Sequence, residues 1–202
     1  MSANPAPQYL HSCDLLTMLR HRTRERHARL DASADFTASL TAERYAAFLR
    51  GLLAVVAPLE RALAAWLAPD EGPSRERCLR ADLDRLSSSL PVPRLDPQLP
   101  SDLAGAYGCA YVLEGSALGG VALAPIVERA LGPATPTTYL RLRGEGTAHA
   151  WRNCRRRLEA FVAAASREEA ERACEMACRT FDNYIEALQL TGAIAEGADC
   201  SR

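Results

Sequence analysis

Lysine is missing: all 24 residues counted as lysine or arginine in the 202-residue chain are arginine. Any carboxylate or phosphate ligand therefore meets planar guanidinium forks rather than ammonium groups. An excess of basic charge is missing too, since the formal net charge is -1. That balance leaves no electrostatic footprint for nucleic acid. The seven cysteines (Cys13, Cys78, Cys109, Cys154, Cys174, Cys178 and Cys200) are odd in number and form no CxxC pair or zinc spacing. Their pattern predicts neither a disulfide framework nor a zinc site, but a reduced, cytoplasmic protein. Cys174 and Cys178 share a helix face and read as two small apolar core residues rather than ligands of a soft metal. The leading MSANPAPQYLHSCD lacks the basic and apolar blocks of a signal peptide, and residues 1–12 are expected to be a disordered lead.

No segment alternates over the length of a strand, whereas helical periodicity runs through the whole chain. Leu15, Leu16, Leu19, Thr23, His27 and Leu30 fall on or near one face of a first helix, closed by Asp31 and Ser33. Thr41, with Glu43 in the following turn, predicts the N-cap of a second helix reaching about Leu67, with Tyr45, Phe48, Leu49, Leu52, Val56, Leu59, Leu63 and Trp66 on its apolar positions. A shorter helix over Ser74 to Leu90 leads into PVPRLDPQLP, whose prolines favour extended backbone. Further helices are predicted from Leu103 to Leu131, Thr147 to Ala165, and Glu168 to Thr191, the last opened by a capping box at Ser166 to Glu169. The expected architecture is a single all-α domain over residues 13–191 with a tail at 192–202.

The helix from Leu103 to Leu131, LAGAYGCAYVLEGSALGGVALAPIVERAL, carries Gly115, Gly119 and Gly120 in its interior. Each costs about 1 kcal/mol relative to alanine, so the space left by the missing side chains must be used. It admits another helix, permits a kink, or lets backbone lie flush against a flat ligand. The same stretch is the only one long enough to consider as membrane-spanning, and Gly115 with Gly119 forms a GxxxG pair. Glu114 near its centre, five glycines between Gly105 and Gly120, and Pro125 favour a helix buried in protein. No membrane partner is expected.

Histidine is scarce, with four in the chain: His11, His21, His27 and His149. Only His27 shares the apolar stripe of its helix, with Asp31 one turn on as a partner for one ring nitrogen. Two readings stay open on these residues alone: a half-buried histidine bonded to Asp31 or a carbonyl, and an axial ligand. A single imidazole cannot hold zinc. It suffices for haem iron, because the porphyrin supplies the four equatorial nitrogens. A flat haem and a glycine-lined helix then explain each other, with His27 on one face of the ring and the glycines over the other.

At this point the sequence resembles a known family. YVLEGSALGG, from Tyr111 to Gly120, is similar to the distal helix of haem oxygenases, above all the bacterial branch associated with bacteriophytochromes. LRHRTRERHARLD, from Leu19 to Asp31, resembles their proximal helix, with His27 at the iron-ligand position. The resemblance runs in order from about Leu15 to Gln189, and the segment between about Leu67 and Ser101 contributes little to it.

The resemblance implies the all-α haem oxygenase-like fold, with haem held between a proximal and a distal helix. It implies cleavage of haem to biliverdin with release of iron and carbon monoxide, haem being both substrate and cofactor. In the family the distal backbone steers dioxygen along the porphyrin plane toward a meso carbon, a role that falls here on Gly115, Ser116, Gly119 and Gly120. Asp31 matches the acidic residue that orients the ligand imidazole, and Thr23, on the face of His27, is placed among the haem-contacting residues. Arg20 matches a basic residue near the propionates, Tyr111 a distal-pocket tyrosine, and WRNCRRR a later basic helix that puts Arg152 and Arg156 toward the propionates. Animal-type members carry an aspartate where Ser116 stands, so proton delivery must be built differently here.

The chain has no flavin or nicotinamide fingerprint. An external electron donor, a ferredoxin or a flavin reductase, is therefore implied, and a bacteriophytochrome is the partner suggested for the bilin. The same ligand and arginines also fit a haem carrier or sensor without turnover. A di-iron scaffold would need several carboxylates and histidines converging in one bundle core, for which the other three histidines are badly placed.

Overall fold

The computed structural model describes residues 12–33, 40–68 and 72–195. Among them are six α-helices and no strand: α1 (Ser12–Ser33), α2 (Ala42–Leu63), α3 (Arg75–Arg85), α4 (Leu103–Leu131), α5 (Thr147–Val162) and α6 (Arg167–Leu190), with a 3-10 turn at Gly144–Gly146 before α5. His11 and the expected lead before Ser12 lie outside the described residues.

The helix starts follow the local chemistry. Thr41 accepts from the N–H of Arg44 at 3.2 Å, Ser74 accepts from Arg77, and Ser166 with Glu169 forms the full capping box of α6. α4 is capped by Asp102, which accepts from Gly105 N–H at 2.7 Å. The ends are shorter than the periodicity predicts. α2 stops at Leu63 and leaves Trp66 41% exposed, α3 stops at Arg85 and leaves Leu90 exposed, and α5 stops at Val162. Apolar spacing continues past each end, but nothing packs there to stabilise another turn.

The expected tail from 192 begins inside the domain. Gly192 adopts φ 71°, which only glycine takes without strain, and the reversal lets Ala193 N–H reach the carbonyl of Leu188 at 3.0 Å. Ala193 and Ile194 are consequently buried. Residues 196–202 lie outside the described part.

The core gathers Leu15 and Leu19 of α1, one side of α2, and the inner stripes of α4, α5 and α6. The most extensive helix pair is α4 on α6. Its closeness is set by Gly108, where a Cβ would meet the carbonyl oxygen of Ala173 at 2.1 Å. α4 is also the one helix among the described residues long and apolar enough to cross a membrane. Its first half is buried against α6, while Leu118, Leu123 and Ile126 further along face a cleft.

One set of charges is buried within this core. Glu114 of α4 accepts from Arg75 at the start of α3 and from Arg143 Nη1 at 2.8 Å, all three side chains being less than a tenth exposed. Burial works against the charged form of Arg75, and Glu114 more than offsets it, holding the guanidinium above its ordinary value. Glu60 of α2 extends the set by accepting from the backbone N–H groups of Arg75 and Glu76 at 2.9 and 3.1 Å. Together these groups fix α4 to α2, α3 and the segment before α5.

Candidate functional site

α1 and α4 approach each other where the Tyr111 hydroxyl reaches Thr23, which is itself buried and donates to the carbonyl of Leu19 at 2.7 Å. About one turn further along each helix, His27 and Gly115 line a cleft of about 610 Å³. Its walls are largely apolar: Phe48 and Leu52 from α2, Leu118, Leu123 and Ile126 from α4, Trp151 from α5, and Phe181 and Leu188 from α6. Size and lining suit a cofactor-sized, flat and largely apolar ligand.

His27 Nδ1 lies 2.8 Å from Asp31 Oδ2. That contact commits Nδ1–H to the carboxylate and leaves Nε2 as the nitrogen with a lone pair for a ligand. The imidazole packs at 5.6 Å from the Phe181 ring, yet the side chain is 60% exposed. His27 is thus a histidine open to the cleft, not the half-buried core residue its stripe allows. His21 and His149 are exposed, and His149 stays outside the cleft. No group of three or more potential metal-ligating side chains exists among the described residues, which removes support for the di-iron scaffold. Cys174 is buried and Cys178 half-buried, its thiol against the backbone carbonyl of Arg22.

The glycines of α4 separate into two kinds. A Cβ at Gly119 would meet nothing within 4 Å, and one at Gly115 only the edge of Trp151 at 3.9 Å, although both residues line the cleft. Their missing side chains are not filled by protein. Gly120 is different: a Cβ there would press on the carbonyl oxygen of Leu140 at 2.9 Å. Its bare backbone lets the 139–140 segment close against α4, and the residue still lines the cleft.

Tyr111 stacks on Trp151 at 5.7 Å, and burial raises its phenol while Thr23 and Arg20 pull it back. Arg20 is exposed on α1 and does not line the cleft, but its charge acts on the Tyr111 phenol at this end. Ser116 is open to the cleft and donates its own proton to the carbonyl of Leu113 at 2.9 Å. Arg152 and Arg156 do not line the cleft. Both are exposed, and Arg156 turns to Asn153 and a separate surface cavity with His149 and Arg157. The reason is register, because the inward stripe of α5 is Trp151, Cys154, Leu158 and Val162. Arg155, one turn after Trp151, is the arginine on that side, with its Nε buried and unpaired.

Two cleft residues escape a sequence reading. Tyr139 arrives from an irregular segment held by Asp82, a buried carboxylate accepting from the N–H groups of Thr138 and Tyr139 at 3.1 and 2.8 Å, and by Tyr45, whose hydroxyl donates to the carbonyl of Pro136 at 2.9 Å. Tyr184 sits in the apolar stripe of α6 with Phe181 and Leu188, and reads there as core. The available signal is a phenol placed where a stripe otherwise has only hydrocarbon.

The sequence matches no protein-family model, and none of the curated proteins matches it. Among solved structures, the chain is similar to the haem oxygenase from Neisseria meningitidis determined with NO and CO bound. The identity is 22%, the TM-score 0.72, and the match covers 91% of this chain and 94% of that one. The all-helical fold expected from the sequence is therefore the haem oxygenase fold.

Proposed function

We propose that this chain binds haem in the cleft and degrades it to biliverdin. The observation that carries the reading is the open surface at Gly115 and Gly119 in the same cleft as His27. A helix that needed glycine only to pack would have protein atoms against those positions. Residues and ligand fit: one imidazole with its second nitrogen engaged, apolar walls, and backbone bare enough to admit a flat ring.

In this reading haem, when bound, supplies the iron that engages dioxygen and the ring that is opened, releasing iron and carbon monoxide. The protein supplies the rest. His27 would hold the iron through Nε2, with Asp31 fixing the imidazole's orientation. Gly115 and Gly119 would offer the ring their bare backbone, with Ser116 beside them. Arg20, Thr23 and Tyr111 line the end where α1 and α4 meet, and Arg20 is the arginine suited to a propionate there. A reduced cytoplasmic setting rests on the cysteine pattern of the sequence. A ferredoxin or flavin reductase provides electrons, and a bacteriophytochrome as recipient of the bilin rests on the distal motif alone.

The test is a spectral titration with haemin for the wild type and His27→Ala, followed by an electron donor in air. Expected are a histidine-ligated ferric spectrum that His27→Ala alters strongly, and conversion of the Soret band to a bilin spectrum in the wild type. Unchanged ligation in His27→Ala would remove that residue from its role. A Soret band that persists without bilin would make the chain a carrier or sensor.

A further inference from the structure

Tyr184 is 2% exposed, and its hydroxyl has no hydrogen-bond partner among the described residues. A buried phenol left unpaired is costly, and such groups in native proteins normally have a partner. This one lines the cleft beside Ser116 and close to Tyr139, which also lines it. The serine's proton is committed to Leu113, so its oxygen is left as an acceptor and the phenols are the donors. The one carboxylate of α4 near this point, Glu114, is held away by Arg75 and Arg143. Among the described residues, only Asp31, beside His27, brings a carboxylate to the cleft lining.

We propose that Ser116, Tyr139 and Tyr184 form a carboxylate-free hydroxyl site that holds an ordered water and, through it, donates hydrogen bonds to a small ligand on the Gly115–Gly119 face of the haem. The second half of this statement rests on the haem-binding reading of the cleft. The site is built from elements distant in sequence: α4, α6 and the segment pinned by Asp82 and Tyr45. Gly120 contributes by letting that segment close against α4. Burial keeps both phenols protonated, Tyr139 pushed up to about 12 and Tyr184 well above its ordinary value, with the neighbouring Ser116 offsetting only part of it. Both therefore remain donors throughout the neutral range.

Two measurements on the full chain decide it. A high-resolution crystal structure without haem is expected to contain a water bonded to Tyr184 Oη and to Ser116 or Tyr139. A Tyr184 hydroxyl bonded directly to protein, or dry, overturns the water site whether or not haem binds. In the ferric haem complex, fluoride is the probe. Tyr184→Phe is expected to weaken fluoride about tenfold, the loss of one hydrogen bond to an anion, and Tyr139→Phe by a smaller factor. Tyr107→Phe serves as control, since that ring packs on Phe161 at 4.7 Å and lies outside the cleft. Fluoride affinity unchanged in a Tyr184→Phe protein that still takes haem through His27 overturns the donor role and leaves the haem reading standing. A wild type that takes no haem overturns both the haem reading and the donor role, while the crystallographic result still decides the water site.

Discussion

The two halves of α4 carry the same residue for opposite reasons. In the first half, Gly108 is glycine because the α6 backbone occupies the place of its side chain, at 2.1 Å. In the second, Gly119 is glycine although nothing lies within 4 Å. Glycine in a helix is costly in both places. At Gly108 helix packing recovers that cost within the folded chain; at Gly119 nothing in the chain does, so the return must come from what enters the cleft. Composition cannot separate the two kinds, because the difference lies wholly in what stands opposite.

The largest effect is expected where the packing is tightest. Gly108→Ala must push α4 and α6 apart against a backbone carbonyl that cannot rotate away, and should cost about 3 kcal/mol or more, lowering the melting temperature by about 10 °C. A melting temperature within a degree or two of the wild type would erase the contrast. Glu114 marks the border between the halves. Glu114→Ala removes the buried carboxylate that Arg75 and Arg143 share and should destabilise by about 3 kcal/mol, measured by urea unfolding. Replacing all three by apolar residues should recover most of that loss, because desolvating the charges offsets most of their attraction.

These residues also show what was legible in advance. Helix starts were readable because capping is local: Thr41, Ser74 and the Ser166–Glu169 box need only neighbours three residues away. Helix ends were less so, since Trp66 and Leu90 continue a pattern whose packing partner does not exist. His27 with Asp31 could be read because their bond spans one turn. Gly120 could not be told from Gly119, one residue away, because the Leu140 backbone that separates them arrives from another segment. Tyr139 depends on Asp82, more than fifty positions earlier, and no periodicity reports such a pairing.

The opposite sign is expected in the second half. Gly119→Ala adds a methyl group into open space within a helix and should stabilise the haem-free protein by about 1 kcal/mol, or about 2–4 °C in melting temperature. In the proposed haem complex the same methyl lies on the face meant for a small ligand. Cyanide or carbon monoxide affinity should therefore fall while stability rises. Stabilisation with unchanged ligand affinity would show that Gly119 does not cover the iron. A fall in stability would place an unseen neighbour against it.

The smallest effect concerns where the open half ends. Trp151 carries the cleft onto α5, and Arg152 and Arg156, which follow it in the sequence, are exposed outside the cleft. The double variant Arg152→Ala/Arg156→Ala should change haemin affinity by no more than about twofold, as expected of exposed side chains that meet no ligand. Arg20→Ala, at the end where α1 meets Tyr111, should weaken haemin about fivefold, the loss of one exposed charge-assisted contact worth about 1 kcal/mol. Quenching of Trp151 fluorescence by haemin gives both affinities in one titration, because that ring lies on the cleft wall. A tenfold loss in the double variant with Arg20→Ala silent would mean that the propionates leave the cleft along α5, and would turn the ring in its plane relative to the bare backbone at Gly115 and Gly119.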